Sequence, residues 1–257
     1  MERIDRYIIE KLKINNNIVS KTPVYNYYPE NKDKLKDLIE KLLKERGKDA
    51  DLNDIDVSEI TDMSDLFINS DIHNIDISKW NVSNVKNMNY MFYRCTDFNC
   101  DLSGWNVSSV TNMKDMFLGC EYFNSDLSKW DVSNAKSIHY MFYGCTNFNS
   151  DLSKWNVSNA ERTEYMFYGC LKFNSDLSKW DVSNVENMYG MFCGCGNFNS
   201  NLNRWNVSKV KDMGYMFFMC EKFNSDLSRW KVSNVENMMS MFDGCDSLKN
   251  IPSWYRK

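Results

Sequence analysis

Hydrophobic residues recur along this chain at a fixed step of 25 positions. Phenylalanine keeps the step from Phe67 to Phe242, and tryptophan and cysteine keep it in columns that begin at Trp80 and Cys95. A unit of 25 residues is too short to bury its own apolar side chains, so neighbouring units must stack and share a continuous core. The pattern predicts eight 25-residue repeats over residues 51–247.

Each repeat contains two apolar patterns of different period. The first, Leu102-x-x-Trp105-x-Val107, has the leucine-rich-repeat form of a short parallel strand. The second pattern has the spacing of a short helix. Gly144 stands just past the end of this helix in its repeat, where a residue in the left-handed conformation is expected. The two patterns predict an α/β repeat solenoid, leucine-rich-repeat-like, with a parallel strand ladder on one face and short helices on the other. The helical pattern in one repeat is Val85, Met88, Met91, Phe92 and Cys95.

The two ends of the chain differ from the repeats between them. Residues 1–50 are expected to form an N-terminal cap with an amphipathic helix over residues 32–46, which Asn31 opens. The first repeat is degenerate, because His73 stands where later repeats have a core phenylalanine. Residues 248–257 are expected to form a short C-terminal cap, since a proline within them cannot extend a central strand ladder.

Composition and charge narrow the class of protein. A hydrophobic content of 43% with 26% charged residues predicts a folded chain with a real core. The formal net charge of −4 gives no global basic field, so specific nucleic-acid binding is not expected. No apolar run has the length of a signal peptide or a membrane span, which favours a cytoplasmic location and no membrane insertion.

Catalysis is not expected. The two histidines, His73 and His139, fall in different repeats at different register positions, so no catalytic constellation assembles around either. The cysteine column would form a line of thiols about 5 Å apart instead of a tetrahedral metal cage. The sequence therefore predicts no catalytic residue, cofactor or metal site, and nine free thiols packed in the core.

An aspartate column runs beside a basic column. Asp76 begins the aspartate column, and a row of carboxylates of this kind could hold calcium. Neutralisation by the neighbouring cations, together with hydrogen bonding within turns, is the favoured interpretation. The cations considered for binding, called the basic column below, are Lys129, Lys154, Lys179 and Arg204.

Two surfaces are candidate binding sites. The basic column would present an even lattice of charge suited to an acidic polysaccharide. The stronger candidate is a set of tyrosines predicted at exposed helix positions, because exposed aromatic patches mark interaction sites. The alternative is that these rings stack on their counterparts and only seal the surface. The set consists of Tyr140, Tyr143, Tyr165 and Tyr168.

The repeat resembles a known family. Its form F-N-x-D-L-S-x-W-D/N-V-S-N-V-x-x-M-x-x-M-F-x-x-C is similar to the DUF285 repeat, grouped with the BspA-like leucine-rich-repeat surface proteins of bacteria. The similarity covers about residues 51–245. It implies a repeat fold, a location at the cell surface and, for some members, a role in adhesion.

The sequence as a whole predicts a non-enzymatic binding or adhesion module that recognises a protein or a glycan through a regular solenoid surface. The alternative is a structural protein that self-assembles by end-to-end stacking of its repeats. A monomer is expected in the first case and an end-to-end oligomer in the second.

Overall fold

A single helix is the only helix or strand in the part of the chain that the computed structural model describes, residues 24–256. This helix, α1, spans Lys32–Arg46, the predicted bounds. The side chain of Asn31 caps it by accepting a hydrogen bond from the Lys34 amide at 3.0 Å. Its apolar face is buried, as the amphipathic pattern predicts, through Leu35, Ile39 and Leu42.

Helix α1 is fastened to the first repeat at both of its ends. The Lys32 ammonium lies 3.6 Å from the Asp65 carboxylate at the beginning of the helix. The Arg46 guanidinium at the other end makes a bidentate pair with Asp54, with N···O distances of 2.9 and 3.0 Å. These ion pairs join both ends of the helix to the first repeat, while its apolar face packs in the core cluster.

The predicted α/β solenoid with a parallel strand ladder is wrong. Residues 24–256 contain no sheet, and neighbouring repeats are joined by isolated parallel bridges such as Asn87↔Asn112. Turns replace the expected strand: the Trp105 amide donates a hydrogen bond to the carbonyl of Leu102, three residues earlier, at 3.1 Å. The Asp101 carboxylate accepts from the Ser103 amide at 2.9 Å, which bends the chain at the start of the pattern.

The predicted short helices are also wrong. Tyr140 and Gly144 both have left-handed backbone conformations, with φ of 58° and 73°, inside the segment expected to be helical. A right-handed helix cannot continue through two such residues only four positions apart. The glycine therefore has the left-handed conformation that the sequence predicted, but it lies in a series of turns and ends no helix.

Backbone hydrogen bonds and identical side chains hold the repeats together in register. The Phe117 amide donates to the Met141 carbonyl at 3.0 Å, and the equivalent bond recurs from Phe142 to Met166 at 2.9 Å. Tryptophan rings stack at centroid distances of 6.4–6.5 Å from Trp80 to Trp230. Each 25-residue unit thus contacts its neighbours through copies of its own residues, which is the stacking that the period predicts.

The cysteines are free thiols, as predicted, and lie in or beside the core. The Cys145 thiol donates to the Phe117 carbonyl at 3.0 Å, and its neighbours in the column repeat this contact. Burial raises the pKa of the Cys95 thiol to about 12. The column is therefore protonated at neutral pH and acts as packing with a weak hydrogen bond.

Candidate functional site

The four tyrosines singled out from the sequence come together in one cluster. Tyr143 and Tyr168 stack with ring centroids 4.4 Å apart and planes 7° from parallel. Tyr140 and Tyr165 stack at 4.9 Å, and the two pairs touch through Tyr143 and Tyr165 at 6.1 Å. All four side chains are half-buried, and they lie in turns instead of on the exposed helices that the sequence predicted.

The cluster continues across later repeats as one aromatic surface. Tyr189 meets Tyr165 edge to face at 5.2 Å, and Tyr215 follows at 5.6 Å from Tyr189. Phe218 ends the row at 5.5 Å from Tyr215. We call this surface the tyrosine ridge; it consists of Tyr140, Tyr143, Tyr165, Tyr168, Tyr189, Tyr215 and Phe218.

Glycines make room for the rings of the ridge. A Cβ atom on Gly190 would lie 2.8 Å from two ring carbons of Tyr165, and one on Gly214 would lie 3.0 Å from the ring of Tyr189. Gly190 stands one repeat step after Tyr165, at a position where four of the other repeats have tyrosine. That exchange of tyrosine for glycine is the sequence signal that could have added Tyr189 to the predicted site.

A group of buried charges lies at one end of the ridge. Asp115 and Glu164 are both nearly inaccessible to solvent. Asp115 pairs with Lys114 at 3.6 Å, and Glu164 pairs with Arg162. His139 lies in the sequence between Asp115 and Glu164. Its ring and that of Tyr140 are in an edge-to-face arrangement, with centroids 5.8 Å apart. The ridge is thus bounded by a polar cluster that contains both signs of charge.

Burial determines the protonation states in this region. It raises the pKa of Asp115 against the attraction of Lys114, and it lowers the pKa of His139 against the attraction of Glu164. Burial also raises the pKa of the Tyr140 and Tyr165 hydroxyls. The ridge therefore presents neutral hydroxyl groups that can both donate and accept hydrogen bonds.

Acidification is expected to destabilise the fold through His139. Because burial depresses its pKa in the folded state, only the unfolded chain takes up the proton as the pH falls below the ordinary value of 6.5. Glu164 attracts the protonated ring, whereas Arg162 and Lys114 repel it. The stability that the neutral His139 contributes above pH 6.5 is lost as the pH falls from 6.5 to the lower pKa of the folded state.

The measurement is the free energy of unfolding in urea from pH 7.5 to pH 5, for the wild type and for His139→Gln. Glutamine retains a polar group near the Ser137 hydroxyl, which lies 3.0 Å from His139 Nδ1 in the wild type. As the pH falls, we expect the free energy of unfolding of the wild type to decrease relative to that of the variant. A difference that stays constant over this range would contradict the assignment of a buried neutral histidine.

The four residues of the basic column are exposed and contain none of the residues of the ridge. Within residues 24–256, none of its four cations lies within 4.0 Å of a carboxylate. The neighbouring aspartates are engaged in turns instead: Asp151 accepts from the Ser153 amide at 2.9 Å, and hydrogen bonds from Ser153 lower the pKa of Asp151. The turn interpretation of the aspartate column is therefore confirmed, while its carboxylates form no close ion pairs with the basic column.

Comparison with known protein families identifies the family to which the chain belongs. A model described as "Mycoplasma protein of unknown function, DUF285" matches residues 36–155, 100–201 and 172–256. The chain belongs to the DUF285 family. Comparison with curated proteins and with solved structures gives no match. As for membranes, the helix of this DUF285 protein in the described range is too short and too polar to span a bilayer, and no other candidate span occurs there.

Proposed function

We propose that this DUF285 protein is a non-enzymatic binding module that contacts a protein partner through the tyrosine ridge. The observation that carries the proposal is the continuity of the ridge: half-buried aromatic side chains touch one another without interruption from Tyr140 to Phe218. Aromatic residues supply a large contact area at low conformational cost, and they are enriched in interfaces.

The stacking within the ridge favours a protein partner over a glycan. A sugar ring packs against the open face of an aromatic ring, but the faces of Tyr143 and Tyr168 cover each other at 4.4 Å. The two stacked pairs, Tyr140 with Tyr165 and Tyr143 with Tyr168, present ring edges and hydroxyl groups instead. Such a surface suits a flat interface with apolar contacts and scattered hydrogen bonds.

The charged cluster beside the ridge would contribute to specificity. The side chains of Lys114 and Arg162 are 36% and 57% exposed, while their carboxylate partners are buried. A partner with an acidic rim would meet these two cations at the edge of the aromatic contact. Charges at the rim of an interface influence the association rate and the choice of partner more than affinity.

Two quadruple variants separate binding from folding. Replacing Tyr140, Tyr143, Tyr165 and Tyr168 by phenylalanine keeps the stacked rings and removes the hydroxyl groups. The melting temperature should stay within a few degrees of the wild type. Affinity should fall at least tenfold, because each lost hydrogen bond contributes about 0.5–1.5 kcal/mol. Replacing the same four residues by serine removes the rings as well and should abolish binding.

The experiment starts from a partner captured from the producing cells with the wild-type chain, which is then purified and titrated against each variant. The matched control replaces all four cations of the basic column by glutamine and should bind like the wild type. If that control loses binding while the phenylalanine variant binds normally, the binding site is the basic column and its ligand is an anionic polymer. A serine variant that melts far earlier, with normal binding by the phenylalanine variant, would make the ridge a structural seal.

End-to-end self-assembly is a second candidate, favoured by the surface of the last repeat. Met239 is 56% exposed there, and Val232 and Val235 are half-buried, whereas Val207 and Val210 of the preceding repeat are buried. Light scattering on dilution tests this candidate, because only self-assembly predicts a molar mass that rises with protein concentration. A role in adhesion at a cell surface, which the family resemblance implies, would be tested by surface proteolysis of intact cells.

A further inference from the structure

Three metal-ligating side chains converge where the first repeat meets the second. The Nε2 atom of His73 lies 3.2 Å from an oxygen of Asp97 and 3.8 Å from an oxygen of Asp71. All three ligand atoms lie within 4.8 Å of one another. His73 was expected to fill the position of a core phenylalanine, but its side chain is 34% exposed and its ring nitrogen is directed at two carboxylates.

The backbone holds the histidine in place. The His73 amide donates to the Lys48 carbonyl at 3.2 Å, and the His73 carbonyl accepts from the Asn99 amide at 3.3 Å. The ring therefore projects from a segment that is hydrogen-bonded on both sides. Asp97 lies two residues before Asn99, so the same backbone contact brings the second carboxylate beside the ring.

Two cations, Lys48 and Arg94, lie near the converging atoms. The Lys48 ammonium lies 3.4 Å from Asp71 Oδ2, whereas His73 faces the other oxygen, Oδ1. Arg94 lines the same shallow cavity as Asp71 and Asp97. The ring nitrogen carries at most one proton, so it can donate to only one of the two carboxylates that it faces. A cation between the three groups would satisfy both carboxylates and the lone pair of a neutral imidazole.

The spacing of the ligand atoms suits a small divalent metal. Two ligands of a tetrahedral zinc ion, each bound at about 2.0–2.2 Å, lie roughly 3.4 Å apart. The nitrogen–oxygen separations of 3.2 and 3.8 Å lie within a few tenths of an ångström of that value, and the ligand oxygens of the two carboxylates lie within 4.8 Å of each other. One imidazole and two carboxylates match the ligand types of zinc, whereas calcium and magnesium prefer oxygen ligands alone.

We propose that Asp71, His73 and Asp97 bind a divalent zinc ion that joins the degenerate first repeat to the regular array. The remaining coordination position is open to water. This site is independent of the tyrosine ridge and contains none of its residues. Binding to the folded chain stabilises it against unfolding in proportion to the logarithm of the free metal concentration.

Calorimetric titration of the whole metal-free chain with zinc chloride tests the site at pH 7.5. We expect one zinc ion bound per chain at micromolar or lower concentration, with much weaker binding of calcium. His73→Phe removes one ligand and introduces the residue that the next six repeats have at this register, so we expect the fold to be retained. This variant and Asp97→Asn should each weaken zinc binding at least tenfold.

Glu161→Gln is the matched control, because it removes one exposed carboxylate from a distant repeat and should bind zinc like the wild type. Zinc should also raise the melting temperature of the wild type and of this control, but not that of His73→Phe. Undiminished zinc uptake by His73→Phe and Asp97→Asn would overturn the assignment. The absence of uptake by the wild type up to millimolar zinc would overturn it equally.

Discussion

Replacing Trp155 by alanine should lower the free energy of unfolding by about 3–5 kcal/mol, the usual cost of deleting a buried aromatic side chain. Trp155 is 3% exposed and stacks between Trp130 and Trp180 at 6.5 Å on each side. Its indole N–H donates to the Leu127 carbonyl at 2.9 Å. The substitution therefore opens a cavity, breaks two stacking contacts and leaves a buried carbonyl without that donor.

Urea unfolding followed by circular dichroism gives the loss directly, and Trp254→Ala provides the comparison. Trp254 is half-buried and stacks on Trp230 alone, at 6.1 Å, although its indole makes the equivalent hydrogen bond to Leu227. In an array where each unit contacts only its neighbours, an end position stabilises roughly half as much as a central one. Equal losses for the two variants, or a loss below about 1 kcal/mol at Trp155, would mean that the tryptophan stack does not hold the repeats together.

Gly190→Ala should destabilise the chain far more than Gly169→Ala. Both glycines have left-handed conformations, with φ of 59° and 70°, so both substitutions carry a strain of about 1–2 kcal/mol. The new methyl group at 190 would also lie 2.8 Å from the Tyr165 ring, while at 169 the nearest atom is 3.8 Å away. Crowding of this kind adds about 1–3 kcal/mol at position 190.

Urea titration of both variants measures the difference in stability, and aromatic NMR shifts of Tyr165 show whether its ring has moved. We expect Tyr165 to shift in Gly190→Ala and to keep its wild-type position in Gly169→Ala. The same displacement should weaken partner binding, because Tyr165 joins the two stacked pairs of the ridge. Equal stabilities with an unmoved ring would show that Tyr165 does not rest on the backbone at Gly190.

The repeat array could be predicted from the sequence because burial recurs at a single period. The tryptophans from Trp80 to Trp230 and the cysteines from Cys95 to Cys220 at these two positions of the repeat are all buried, and Cys245 in the last repeat is partly buried. The same apolar spacing fits strands, helices or turns, so it could not determine the local conformation. The local conformation depends instead on contacts that the spacing does not show: the Asp101 side chain accepts a hydrogen bond from the Ser103 amide, and the Tyr140 amide donates to the Glu164 carbonyl in the next repeat.

The candidate sites were predictable to different extents. The register of the repeats places Tyr140 beside Tyr165, so their clustering followed from the period. The contribution of Tyr189 did not, because it depends on how the Tyr165 ring leans across Gly190. The convergence of Asp71 and Asp97 on His73 could not be predicted from the repeats either. The two aspartates are 26 positions apart, one more than the repeat step, so alignment of the repeats does not pair them.

Photo-cross-linking within the producing cells tests the central claim, that the tyrosine ridge contacts a protein. A photoreactive phenylalanine derivative replaces Tyr168 in one chain, where it keeps an aromatic ring in the ridge, and Lys154 of the basic column in another. After irradiation we expect one discrete protein adduct from position 168 and none from position 154. An adduct from position 154 alone, or no protein adduct from position 168, would contradict the account.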